Sequence, residues 1–192
     1  MDNIIDLELK HIDKIIDKIK SDKEEDEIKD KELKLWFKIR EKCYNGRRTG
    51  TGITGLGDTL AMLGIKYGSK DSIEVTEQIY KILKLGCYQS SVDIAKELGS
   101  FPVWDYNKEK DNKFLNRIKE DKTEFCNGEV LYNEMKKHGR HNISLLTTAP
   151  CGSISILAQV SSGIEPVFQL EYIRRKKNND NDKNTKTDFT DQ

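Results

Sequence analysis

The stretch "NISLLTTAPCGSISILAQVSSGIEP", Asn142 to Pro166, decides how this chain is read. Ile143 to Thr148 is β-branched and apolar, the composition of a buried strand, and Pro150 stops it. Cys151-Gly152-Ser153-Ile154-Ser155 then opens a helix directly after that strand. Proline suits a first helical turn because its missing N–H would have been unpaired anyway. The residues after it leave their amides free at the positive end of the helix dipole. Ser153 and Ser155 add hydroxyl donors, and Gly152 removes the side chain that would block approach. Those are the requirements for holding a phosphate. The same residues also describe a well-capped helix with no ligand, since serine and glycine crowd many helix starts. Ser161-Ser162-Gly163 and Glu165-Pro166 follow as a turn expected to fold back beside the same place. Glu165 is the carboxylate inside this stretch; it could assist in a substrate pocket, but a turn-stabilising hydrogen bond is its simplest role.

A second glycine pattern competes for attention. "GTGITG", Gly50 to Gly55, fits the dinucleotide-binding fingerprint. That fingerprint works only at a strand-to-helix turn, with an acidic residue about 20 positions later closing the unit. Here "WFKIREKCYNGRRT" precedes it, a helix and a basic turn, while Asp71 and Glu74 lie at a helix start. The better reading is that Gly50, Gly52, Gly55 and Gly57 let a turn pack tightly into a helix. Asp58 is expected to cap that helix. Arg47-Arg48 could reach a phosphate, but a structural role is favoured.

Further out, the chain reads as mostly helical. Ile5, Leu9, Ile12, Ile16 and Ile19 form one helical stripe, expected to pack against a partner surface. "SDKEEDEIKDKE" is a charged break. Leu33, Leu35, Trp36 and Ile39 start a helix ending near Asn45-Gly46. A short helix follows from Asp58 to Leu63. The longest helix runs from Ser69 or Asp71 to Leu98, with Ile79, Leu83, Ile94 and Leu98 as its apolar side and Gly99 closing it. Gly86, Ser90 and Ser91 within it suggest that another backbone passes close by. "FPVW" reads as extended, residues 105–128 as polar and irregular around Phe114, Leu115 and Ile118, and Glu129 to Lys137 as helix. "GIEPVFQLEYIRR" gives a turn and a second strand. From Lys176 onward there is almost nothing to bury, and the tail 176–192 is expected to be disordered.

Composition excludes several classes. Lys plus Arg number 33 and Asp plus Glu number 33, so charge gives no reason to expect nucleic acid or an anionic membrane. No apolar run approaches the roughly 18 residues of a membrane span, and the N-terminus lacks an apolar secretory core. The cysteines Cys43, Cys87, Cys126 and Cys151 form no CxxC pair, and His138 and His141 lack a third ligand nearby. Both histidines are expected to be solvated. A metal cage is therefore not expected, and reduced thiols suit a cytoplasmic setting. Hydrophobic residues at 35% against a charged fraction of 34% leave a thin core.

"GRHNISLLTTAPCGSISILAQVSSGIEPVFQLEYIRR" closely resembles the last part of the catalytic barrel of ribonucleotide reductase large chains, most like the adenosylcobalamin-dependent class. "GRRTGTGITGLGDTLAMLGIKYGSKDS" and "SSVDIAKELGSFPVWD" are similar to the same family, in the same order. The resemblance covers residues 1–175. It implies an α/β fold, part of a ten-stranded α/β barrel that is mostly helical in this portion, in an enzyme that replaces the 2′-OH of a ribonucleotide by hydrogen. It implies a ribonucleoside diphosphate as substrate and adenosylcobalamin as cofactor. It gives the substrate diphosphate to a loop matched here by Pro150, Cys151, Gly152, Ser153 and Ile154, with Ser155 adjacent. Position 151 departs from the family, which usually has Thr or Ser there. A thiol donates a weaker hydrogen bond than a hydroxyl, although the backbone amide is retained.

The family's radical chemistry needs an Asn-x-Cys-x-Glu motif and a redox cysteine pair. Neither surrounds Cys43, Cys87, Cys126 or Cys151. The expectation is an incomplete barrel domain over 1–175, inactive alone, whose partner is the missing upstream part of the reductase. The alternative is a non-catalytic remnant or accessory module that binds a nucleotide or a partner chain.

Overall fold

The computed structural model describes residues 1–169, 171, 173–175 and 189–191. They form α1 (Asp2–Ser21), α2 (Asp26–Gly46), α3 (Leu56–Met62), α4 (Lys70–Leu98), α5 (Tyr106–Glu109), α6 (Lys113–Arg117), α7 (Gly128–His138) and α8 (Gly152–Ala158). A 3-10 turn spans Ile118–Glu120, and β1 (Ile173–Arg175) pairs antiparallel with β2 (Phe189–Asp191). The described residues are thus mostly helical and form no closed barrel. Residues 176–188 and 192 of the tail expected to be disordered lie outside the described residues, as do Leu170 and Tyr172 of the expected second strand. The chain divides into two compact units, Met1–Gly52 with Ile73–Ala149, and Ile53–Ser72 with Pro150–Gln192.

In the first unit α1 and α2 pack as a hairpin, joined by residues 22–25, and the rest of the charged stretch, residues 26–32, is the start of α2. Ile5, Leu9, Ile12, Ile16 and Ile19 are all buried. The stripe expected to meet a partner surface is therefore covered within the chain, because the half-buried Leu33, Trp36 and Ile39 of α2 lie at matching helical spacing. Arg40 binds Asp13 through two nitrogens, at 2.6 and 3.2 Å, across the same hairpin.

The main core gathers Leu85, Tyr88 and Val92 of α4, Leu115, Ile118, Leu131, Tyr132 and Met135, and Leu145. The expected apolar side of α4 is not the one in the core: Ile79, Leu83 and Ile94 are only half-buried. Leu98 is 71% exposed, whereas Leu85, Tyr88, Val92 and Ala95 are buried on the opposite face. Their 3-4-3 spacing is as helical as the expected set, but Tyr88, Ser91 and Ala95 weaken its apolar signal. Lys84 and Asp121 form a largely buried ion pair between α4 and the segment before α7. Caps follow local chemistry: Asp105, Asn112 and Asn127 each accept backbone N–H groups at the starts of α5, α6 and α7. "FPVW" is a turn rather than extended, closed by Trp104 N–H donating to the Phe101 carbonyl at 2.9 Å.

The expected strand Ile143–Thr148 survives only as a single parallel bridge between Thr51 and Leu146. Thr49 N–H reaches the Ser144 carbonyl at 3.0 Å, Thr51 N–H the Leu145 carbonyl at 2.8 Å, and Thr147 N–H the Thr51 carbonyl at 3.0 Å. The segment is paired along one edge, too little for a full strand. Gly50 and Gly52 explain how the two backbones come so close. A Cβ on Gly52 would lie 2.4 Å from the Thr147 carbonyl oxygen, and one on Gly50 2.8 Å from the Thr147 methyl.

Next to this pairing sits a buried polar cluster. Arg47, at positive φ just past α2, binds Asp2 at 2.6 and 3.1 Å and Asp6 at 2.9 Å. Asn142 donates to Asp2 at 2.9 Å and to the Arg47 carbonyl at 3.0 Å. Ser91 Oγ accepts from the amides of His141 and Asn142, each at 3.1 Å, and donates to Asn142 Oδ1 at 2.9 Å. The backbone expected to pass near the small residues of α4 does so at Ser91; at Gly86 there is open space. His141 is buried, contrary to the solvated role expected of it. Its Nδ1 lies 2.6 Å from the Gly99 carbonyl and its Nε2 3.2 Å from Asp2 Oδ2, an ion-pair distance without hydrogen-bond alignment.

Burial works against the charge on Arg47, but the hydrogen bonds it donates to Asp2 and Asp6 outweigh it and hold the guanidinium well above its ordinary range. Burial raises Asp2 in the same way, yet hydrogen bonds from Arg47 and Asn142, with the charge of His141, leave its carboxyl below the ordinary value. Arg47 is thus a structural residue. No helix among the described residues is long and apolar enough to cross a membrane.

Candidate functional site

The second unit contains the loop selected from the sequence. Pro150 precedes the helix start rather than occupying its first turn, and Cys151 is the N-cap residue of α8 with φ −94° and ψ 44°. The first helical bond runs from Ser155 N–H to the Cys151 carbonyl at 2.8 Å. The amides of Gly152, Ser153 and Ile154 therefore precede the intrahelical ladder. All three residues are exposed, and a Cβ at Gly152 would meet nothing within 4 Å. Ser155 behaves differently from the expected donor: it is buried, and its hydroxyl donates to the Gly152 carbonyl at 2.8 Å. It shapes the loop from within, leaving Ser153 as the exposed hydroxyl. Cys151 is half-buried. The structure therefore keeps Pro150 to Ile154 together on one open turn and turns Ser155 inward.

The residues around α3 hold the other end of α8. Gly55, at φ 77°, starts α3 and donates its N–H to the Ser161 carbonyl at 2.9 Å. Thr54 Oγ1 donates to the same carbonyl at 3.0 Å and accepts from Gly163 N–H at 3.1 Å. Asp58 Oδ2 accepts from Ser161 N–H at 2.6 Å, and Asp58 N–H donates to Ser161 Oγ at 3.2 Å. The capping role expected of Asp58 is replaced by this clasp, because Ser161 presents a backbone donor in line with the carboxylate. Gly57 lies against the Glu165 carbonyl and Pro166 Cα, where a Cβ would approach both at 2.8 Å. Tyr67 completes the turn by donating to the Ile164 carbonyl at 2.8 Å. Glu165 contributes its backbone N–H to the Ser162 carbonyl at 3.1 Å.

Reading the sequence missed Thr54 and Ser161 as partners of the loop, for they lie 107 residues apart. The clustering of glycine, threonine and aspartate in "GITGLGD" was the available signal. The tight packing expected of the glycine run is what Gly50, Gly52 and Gly57 display.

A cobalamin carries its cobalt inside a corrin ring and needs no cluster of protein ligands, so the donor set of the described residues bears only on a bare metal ion. Among them no group of three His, Cys, Asp or Glu side chains could hold a metal ion. His141 has both ring nitrogens facing acceptors, His138 lies 3.9 Å from Glu134, and His11 stands exposed on α1. Burial pushes the thiols of Cys43 and Cys126 up, away from the reactive thiolate. The first unit holds a cavity of about 550 Å³ lined largely by α4 and by Phe125 and Cys126, with none of the sequence-selected loop residues on it.

Comparison with known proteins gives the family. The family model for "Ribonucleotide reductase, barrel domain" matches residues 4–191. A vitamin B12-dependent ribonucleoside-diphosphate reductase from Thermoplasma acidophilum is 31% identical over 130 residues, covering 67% of this chain and 14% of that protein. A protein of the same name from Mycobacterium tuberculosis is 27% identical over 128 residues, covering 67% of this chain and 15% of the relative. A ribonucleoside-diphosphate reductase subunit alpha from Treponema pallidum is 25% identical over 134 residues, covering 68% and 15%. The chain thus spans about a seventh of the length of the curated relatives it matches. With the glycine-rich turn, the one-sided parallel pairing and the open proline-serine loop all falling inside the matched residues, the chain belongs to the ribonucleotide reductase barrel-domain family.

Proposed function

We propose that this chain is the C-terminal part of the catalytic barrel, residues 1–175, of a ribonucleoside-diphosphate reductase acting in the cytoplasm, and that it supplies the loop gripping the substrate's diphosphate. The reaction replaces the substrate's 2′-OH by hydrogen, for DNA precursor synthesis. The observation carrying this reading is the exposed turn Pro150–Ile154, whose first amides precede the helical ladder and whose Gly152 stands in open space. Amides of Gly152, Ser153 and Ile154, with the Ser153 hydroxyl, are the donors offered to phosphate oxygens. Ser155 keeps the turn closed from inside. Adenosylcobalamin is the proposed cofactor of the complete enzyme, as the names of two relatives suggest, with its contacts outside the described residues.

None of the four cysteines lies in an Asn-x-Cys-x-Glu motif. In the proposed reading the radical cysteine belongs to a part of the reductase outside these residues; the alternative is a non-catalytic module that binds a nucleotide or a partner chain. Co-expression with a chain bearing that motif, followed by deoxynucleotide assay with and without adenosylcobalamin, decides between them. Cobalamin-dependent product formation is expected from the pair and none from this chain alone. In the complemented enzyme Ser153→Ala should raise KM for the ribonucleoside diphosphate; an unchanged KM would refute the loop assignment.

A further inference from the structure

We propose that Thr54 and Asp58 are positioning residues for the diphosphate loop, acting on it through Ser161; the inference rests on the loop assignment above. Packing does little to place α8. Ile154, Ile156 and Leu157 are 63, 74 and 87% exposed, and Ser155 is its buried residue. At seven residues the helix is about 10 Å long and too short to persist by itself. Its C-terminal end is tied down instead. Val160 N–H returns to the Ser155 carbonyl at 3.0 Å, after Gln159 adopts φ 55°. The next residue, Ser161, is gripped by Thr54 on its carbonyl and by the Asp58 carboxylate on its amide. The 2.6 Å contact to a charged acceptor is the strong kind of hydrogen bond. Gly55 N–H shares the Ser161 carbonyl at 2.9 Å, so Thr54 and Asp58 add side-chain bonds to a backbone hold, and movement at Ser161 is passed along the turn to Gly152 and Ser153. Thr54 and Asp58 would touch no phosphate; they set where its donors point.

The test is calorimetric titration of inorganic pyrophosphate into the 192-residue chain, with circular dichroism confirming helix content. Thr54→Val, which keeps shape and removes the hydroxyl, and Asp58→Ala should each raise Kd by about tenfold, the net worth of one or two hydrogen bonds. Thr54→Ser should bind within about twofold of the parent, since it restores the hydroxyl. Ser161→Ala, which spares the backbone contacts, is the milder variant should Thr54→Val fail to fold, and a rise of about threefold is expected. If Thr54→Val, Asp58→Ala and Ser161→Ala bind as the parent does while Ser153→Ala loses affinity, the positioning role is refuted and the loop assignment stands. No heat of binding by the parent chain up to millimolar pyrophosphate would overturn the loop assignment and this inference together.

Discussion

Replacing Arg47 by methionine tests whether the buried polar cluster, rather than hydrophobic burial alone, fixes the α1–α2 hairpin against the 140–142 segment. Arg47 and Asp2 have side chains only 10% and 13% exposed, and they share two contacts at 2.6 and 3.1 Å. Breaking a fully buried pair costs roughly 3–5 kcal/mol because a charge is left alone. Here Asp2 keeps Asn142 at 2.9 Å and His141 at 3.2 Å, so the charge is only partly stranded. Asp6 is half-exposed and its pairing adds no more than about 0.5–1 kcal/mol. Arg47→Met should therefore destabilise the chain by about 2–4 kcal/mol. The assay is urea unfolding followed by circular dichroism, with Asp2→Asn and the double variant completing a cycle. The double variant should be more stable than the sum of the single losses by at least about 1 kcal/mol. A loss below about 0.5 kcal/mol, typical of a surface change, or strict additivity, would refute the reasoning.

Acid should weaken the same cluster. The Asp2 carboxyl is lowered by its hydrogen bonds, so its stabilisation is complete above the ordinary aspartate value of 3.8 and is lost as pH falls through the lower folded value. Unfolding curves from neutral to acid pH should show that loss reduced in Asp2→Asn; identical pH profiles would count against it. Gly52→Ala should destabilise by at least about 2 kcal/mol in the same urea assay, since its Cβ would meet a backbone oxygen rather than a movable side chain. Cys151→Thr should preserve or tighten pyrophosphate binding, because a hydroxyl donates better than a thiol; weaker binding measured by calorimetry would contradict that.

The helices α1, α4 and α7, and the start of α8, were legible because apolar spacing and capping residues act within a few positions. Which face of α4 is buried was not. Leu83 and Ile94 outweigh Tyr88 and Ala95 by hydrophobicity, yet the partners Leu115, Ile118 and Leu131 come from elsewhere in the chain. His141 was misread for the same reason, since nothing near it in sequence announces Asp2. The loop Pro150–Ile154 was readable as a local change of backbone, and Ser155 was half-readable. Its hydroxyl is legible in the sequence, but its inward direction depends on the turn it closes. The clasp on Ser161 could not be read at all from spacing.

That clasp joins residues 103 to 109 positions apart. Closing a loop of such length costs entropy before any contact repays it, and contacts of high sequence separation form slowly. The 53–58 segment must wait, during synthesis, for Ser161 and Gly163 to emerge. The local hairpin of α1 and α2 has no such delay. The turn that presents Gly152 and Ser153 is thereby tied to contacts that cannot close until residue 163 has been made.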